Sequence, residues 1–139
     1  MAIEIRRVGP GGVEMFDRVA AGVFDEPIER ARLAAYLAAP GHHMIVAISG
    51  GEVIGQVAAV VHRHPDKPTE LYIDEVGVAP AFHRRGIARR MLEAMFAWGR
   101  ELGCEEAWVG TEPNNAPARG LYESHGAAAE PFVMYVYEL

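Results

Sequence analysis

Val76-Gly-Val-Ala-Pro-Ala-Phe-His-Arg-Arg-Gly-Ile-Ala88 is the stretch on which the fold of this chain turns. Its first residues close an apolar run that begins at Leu71 and reads as a strand, and Pro80 ends that strand. From Gly86 to Leu102 the apolar residues recur at helical spacing, with Ile87, Met91, Met95 and Leu102 on one side and Leu92 and Phe96 beside them. Gly103 suits the C-terminal end of that helix. A strand that passes through a short loop into a helix starting at glycine builds a place for an anion. The first N–H groups of a helix have no intrahelical acceptor, the helix dipole makes that end positive, and together they hold phosphate. Gly86 removes a Cβ that would keep a pyrophosphate away, and the small Ala88 keeps the next turn open. Arg84, Arg85, Arg89 and Arg90 add screened attraction, although charge and glycine alone fit a solvated, glycine-capped helix face equally well. The loop has neither Gly-x-x-x-x-Gly-Lys-Ser/Thr nor Gly-x-Gly-x-x-Gly, which disfavours an ATP, GTP or dinucleotide cradle.

Outward from this segment the chain alternates in type. Toward the N-terminus, Leu71–Val78, Val53–Val61 and Met44–Ile48 read as strands, the last two joined by a Gly50-Gly51 hairpin turn. They predict an antiparallel meander, with Gly55 a weak point. Ile3 and Ile5 alternate with polar neighbours and predict a short first strand. Val13, Phe16, Val19, Ala20 and Val23 fall at helical spacing and predict a first helix. Pro27 suits the first turn of a second, whose apolar face is Leu33, Tyr36 and Leu37. Beyond the long helix, Ala107–Thr111 predicts a strand, Ala116–Ser124 a short helix, and Phe132–Tyr137 a terminal strand. The order predicts one domain, residues 1–139, of α+β or mixed α/β class.

Composition narrows the partners. The 139 residues fit one domain of ordinary size, and half of them are hydrophobic. Thirteen basic residues against nineteen acidic ones give a net charge of −6, which argues against nucleic acid or an anionic membrane as partner. The lone Cys104 excludes an intrachain disulfide and a multi-cysteine zinc site. The start, MAIEIRRV, lacks the apolar core of a signal peptide, and no apolar run approaches the length of a membrane span. The expectation is a cytoplasmic protein.

Two segments carry a resemblance. His83-Arg-Arg-Gly-Ile-Ala88 resembles the Gln/Arg-x-x-Gly-x-Gly/Ala motif of the GNAT acyl-CoA-dependent N-acetyltransferases, with histidine at the first position. Asn115-Ala-Pro-Ala-Arg-Gly-Leu-Tyr-Glu-Ser-His-Gly126 resembles that family's Asn-x-x-Ala-x-x-Leu-Tyr-x-x-x-Gly-Phe pattern, with Ala127 in place of the phenylalanine. The resemblance implies a mixed, mostly antiparallel sheet flanked by helices and splayed between strands four and five. It implies acetyl-CoA as cosubstrate and no metal. The loop amides of His83, Arg84, Arg85, Gly86, Ile87, Ala88 and Arg89 would take the pyrophosphate. The backbone of Val76 and Val78 would pair with the pantetheine arm, and Asn115 and Ala118 would complete the cofactor side. It also makes a homodimer through the terminal strands ordinary. Ile5-Arg-Arg-Val-Gly-Pro and Glu70-Leu-Tyr-Ile-Asp-Glu-Val-Gly-Val look more loosely like the small GNAT-type aminoglycoside 3-N-acetyltransferases. Leu121-Tyr-Glu-Ser is similar to protein N-terminal acetyltransferases, but Gly110 stands where that group carries its catalytic glutamate.

Acyl transfer to an amine needs a base for the ammonium, an acid for the departing thiolate and a donor for the oxyanion. By resemblance Tyr122 is the acid and the Val78 N–H the oxyanion donor. Glu75 and Glu112 are candidate bases, with a water relay as the third course. Alternation along a strand would place Asp74 and Glu75 on opposite faces, so one at most should meet the site. The expected reaction is acetyl transfer to a primary amine of a small cationic acceptor. A protein or peptide amine, or a silent CoA-binding module, is the alternative. His62 and His64 lie two apart and share a strand face, but no third ligand stands at a recognisable spacing, which favours solvent-facing histidines.

Overall fold

The computed structural model describes residues 2–139. Strands β1 (Glu4–Val8), β2 (His42–Ser49), β3 (Glu52–His62), β4 (Glu70–Val78) and β5 (Glu106–Val109) lie in one sheet in sequence order. The first four pair antiparallel and β5 joins β4 in parallel, so the sheet is mixed and mostly antiparallel, as expected. The β2–β3 hairpin turns through Gly50 and Gly51, at φ 56° and 79°, which glycine adopts without penalty. Helices α1 (Arg30–Ala38), α2 (Ile87–Glu101) and α3 (Ala116–Ser124) complete the fold.

The core lies between the sheet and α2. Ile87, Met91, Leu92 and Met95 are buried against Ile45, Ile54, Leu71 and Ile73. Each such side chain contributes roughly 1.5–3 kcal/mol of burial. Gly99 lets α2 lie close on β4, since a Cβ there would stand 2.8 Å from Leu71 Cδ2. An ion pair between Arg7 and Glu101 ties β1 to the end of α2.

Two elements differ from the sequence expectation. Residues 13–23 are not a helix. A 3-10 turn covers Val13–Asp17, and Val19 then bridges Val53 in parallel. The amides there find acceptors in β3 instead, Ala20 N–H donating to the Val53 carbonyl and Val53 N–H to the Arg18 carbonyl, each at 2.9 Å. β-branched Val13, Val19 and Val23 give a helix little to resist with. The terminal strand expected at Phe132–Tyr137 is also missing, since residues 127–139 pair with no strand among the described residues. Apolar content makes a strand attractive, but the segment stays unpaired although the outer edge of β5 is open among the described residues.

Candidate active site

β4 and β5 part company early. β5 pairs only with Glu70 to Ile73, so the outer edge of β4 from Asp74 to Val78 has no β5 partner. This is the splay expected between strands four and five. Gly110 ends β5, and the chain turns through Glu112, whose carbonyl accepts from Asn115 N–H at 3.0 Å. Asn115 then caps α3, its Oδ1 accepting from Ala118 N–H at 3.2 Å. The cap fixes where α3 starts, and so the height at which Tyr122 meets the gap.

The gap is a cavity of about 410 Å³. Asp74, Glu75, Val76 and Gly77 form one wall, and Glu112, Asn115, Ala118 and Tyr122 the other. Six site residues named from sequence are therefore brought together: Glu75, Val76, Glu112, Asn115, Ala118 and Tyr122. Asp74 joins them against the alternation rule. Glu75 pairs with Ala58 and Ile73 with Ala59, which leaves Asp74 as the extra residue of a β-bulge. A bulge re-aims side chains, and both residues line the same cavity.

Burial first, then the carboxylates of Asp25 and Asp74, raise the Glu75 pKa, while a hydrogen bond from Gln56 opposes the shift. Burial also raises the Asp74 carboxyl and the Tyr122 hydroxyl. Gln56 and Gly77 are the residues sequence reasoning missed. Gln56 is fully buried, and its Nε2 donates to the Val23 carbonyl at 3.3 Å. Its signal was one amide in an otherwise apolar strand. A Cβ on Gly77 would stand 2.2 Å from that same carbonyl, so only glycine lets residues 22–25 cross β4 and bring Asp25 to Glu75.

The loop expected to hold an anion, residues 83–89, lies beyond the end of β4 and outside the cavity lining. Arg84 at φ 62° and Gly86 at φ 73° are both left-handed, a turn that aims successive N–H groups into one concavity. The first helical bond runs from Arg90 N–H to the Gly86 carbonyl at 3.0 Å, and no side chain caps α2. The amides of Ile87, Ala88 and Arg89 precede that bond, and a Cβ on Gly86 would enter open space. The His83 side chain closes the loop, its Nε2 donating to the Val78 carbonyl at 2.7 Å. The arginines divide. Arg84 and Arg85 are exposed at the turn. Arg89 donates to Ser124 Oγ at 3.0 Å, and Arg90 to the Ile3 carbonyl at 3.2 Å, so both side chains serve packing.

A free strand edge ending in an uncapped helix start, beside a gap that holds a tyrosine and carboxylates, is the arrangement the sequence resemblance implies. The profile of the acetyltransferase (GNAT) family matches residues 13–127. The chain belongs to the GNAT family. Within it, the chain is 32% identical over 104 residues to the N-alpha-acetyltransferase RimI of Mycobacterium tuberculosis, covering 75% of this chain and 63% of that protein. It is 28% identical over 86 residues to the aminoglycoside N(6')-acetyltransferase type 1 of Salmonella typhimurium, covering 58% of this chain and 59% of that one. The matches thus span about three fifths of these relatives' lengths. The solved structure of AAC(6')-Iy, in complex with the bisubstrate analog CoA-S-monomethyl-acetylneamine, superposes with a TM-score of 0.80. That likeness covers 100% of this chain and 99% of the other at 21% identity, and shows a shared fold. The aminoglycoside relatives are of 6'-N type, whereas the looser sequence resemblance is to the 3-N type.

Proposed function

We propose that residues 1–139 form one acetyltransferase domain that moves the acetyl group of acetyl-CoA to a primary amine of a small cationic acceptor. The observation that carries this reading is the gap between β4 and β5, which sets Glu75 and Tyr122 on facing walls beside a free strand edge. The pyrophosphate sits on the amides of residues 83–89, and the pantetheine arm runs along the free edge at Val76 and Val78. The thioester then lies between the walls. The acceptor ammonium gives a proton to Glu75, and the amine attacks the thioester carbonyl directly in a ternary complex. The Val78 N–H steadies the oxyanion. As the C–N bond forms and the C–S bond breaks, Tyr122 O–H protonates the departing sulfur, and the second proton that the nitrogen sheds on becoming an amide passes through water to restore the Tyr122 phenol. Burial suits both groups, since a raised carboxylate is a stronger base near neutral pH and a raised phenol keeps its proton until needed. Glu112, on the far wall, is the second candidate base, and a water relay the third course.

The acceptor reading rests on charge. A second cavity of about 450 Å³, lined by Asp17, Asp25 and Glu26, shares Gly22 and Asp25 with the first. Asp25 and Glu26 place carboxylates on its otherwise mostly apolar wall, while Asp17 is paired with Arg30, and that acidity beside the gap suits an aminoglycoside-like polycation. The likeness to RimI favours a peptide amine as the second reading. Thiol release from acetyl-CoA with a panel of aminoglycosides, polyamines, amino acids and peptides tests this. Release with multiply charged amines is expected. Release with peptides alone moves the acceptor to the second reading, and none with any amine leaves a silent CoA-binding module. We place the reaction in the cytoplasm, where a single free thiol, Cys104, stays reduced.

The same reading includes a homodimer. Phe132 to Tyr137 are six consecutive side chains, mostly apolar, each 68–82% exposed, and Leu139 follows them. β5 presents its outer edge unpaired. Such a segment and such an edge in one molecule suit exchange between two copies.

A further inference from the structure

The sheet supplies the ligand that the spacing of His62 and His64 lacks. His62 is the last residue of β3 and pairs directly with Glu70, the first residue of β4. Directly paired residues share a face, so the carboxylate stands beside the His62 imidazole although the chain runs seven residues between them, and His64, two residues past the end of β3, turns its ring onto the same carboxylate. The donor atoms of His62, His64 and Glu70 all lie within 4.8 Å of one another. The two rings are 4.3 Å apart, and His64 Nε2 is 2.6 Å from Glu70 Oε1. His64 and Glu70 are mostly buried, with side chains 13% and 18% exposed, while His62 forms the open side. Glu106 of β5 pairs with Glu70 and extends the row by one more carboxylate.

We propose that His62, His64 and Glu70 form a site for one divalent transition-metal ion of the zinc class, with water in the fourth position. Two imidazoles and a carboxylate are a zinc donor set, and metal–ligand bonds of about 2.0–2.2 Å place tetrahedral ligands roughly 3.4 Å apart. The His64–Glu70 contact opens by less than about 1 Å to admit the ion, and the others close by a little more than that. The connection carrying the ligands is already held: Pro65 and Pro68 stiffen it, and the Thr69 carbonyl accepts from Glu105 N–H at 2.9 Å. Glu70 lies five residues before Glu75 on β4, roughly 16 Å away along the strand, so the ion acts as a clip on the β3–β4 connection outside the catalytic gap. The ion binds there whether or not the gap transfers acetyl groups.

Tag-free, chelator-treated protein titrated with Zn²⁺ against a chromophoric chelator tests it. One ion per chain is expected, with a dissociation constant of about 10 µM or tighter, together with a higher melting temperature. His62→Ala is the decisive variant, because that ring is exposed and makes no hydrogen bond among the described residues. It should weaken binding at least about tenfold and abolish the thermal gain, as should Glu70→Gln, while His42→Ala leaves both unchanged. No saturable binding below about 1 mM, or full binding retained in His62→Ala and Glu70→Gln, overturns the proposal.

Discussion

Burial holds the Glu75 carboxyl above the usual glutamate range, and the Asp25 and Asp74 carboxylates push it further. Its folded pKa therefore exceeds its unfolded one. The fold carries no penalty below the ordinary glutamate value and the full penalty above the raised one. Glu75→Gln should consequently raise the melting temperature at neutral pH, with the gain vanishing in acid, while it removes the ascending limb of the pH–rate profile. Asp25→Asn takes away one of the charges that raise Glu75, so the same limb should move to lower pH with Glu75 still in place. A limb that ignores both changes assigns the base to Glu112 or to water. Tyr122 separates an enzyme from a binding module. Tyr122→Phe should lower the acetylation rate on the order of 100-fold while CoA affinity, measured by calorimetry, stays the same.

At the level of elements, what local chemistry announces was legible, and what a distant partner decides was not. The start of α2 at Gly86, its Met91–Met95 stripe, the Gly50-Gly51 hairpin and the short helix α3 over Ala116–Ser124 all follow from neighbours in sequence. So do the two motifs that point to the family. The bulge at Asp74 is different. It exists because β3 and β4 pair with one residue too many, and no spacing within Leu71–Val78 reveals it. The helix expected over 13–23 was lost for a like reason, since Val53 offers those amides a better partner. The crossing of residues 22–25 over β4 gives a sharp test of this dependence. Gly77→Ala drives a Cβ against the Val23 carbonyl, and that backbone must move. About 1–3 kcal/mol of stability should be lost in a urea titration. Activity should fall beyond what stability explains, because Asp25 shifts away from Glu75. Asn115→Ala, by contrast, should cost about 1 kcal/mol through the lost cap, and reads out whether Tyr122 needs α3 held at its present start.

For the whole molecule, charge and apolar surface are divided by role. The net charge of −6 conceals the uncapped amides and exposed Arg84 and Arg85 at the start of α2, while Asp25, Asp74, Glu75 and Glu112 collect around the gap between β4 and β5. The terminal segment belongs to neither. Its apolar side chains bring roughly 1,000 Å² per chain, so two exchanged copies reach the size of a stable interface. A lone copy would leave that surface in water, next to a β5 edge whose Trp108 is itself 40% exposed. Light scattering behind size exclusion should therefore give twice the chain mass at micromolar concentration. Removing residues 132–139 should give the monomer with CoA binding retained, since neither the cradle nor the gap draws a wall from that segment. The double substitution Val133→Asp with Val136→Asp should do the same without shortening the chain, and it guards against a truncation that merely misfolds. A wild-type monomer at every concentration, with the tail protected from protease, would place the segment against its own sheet instead.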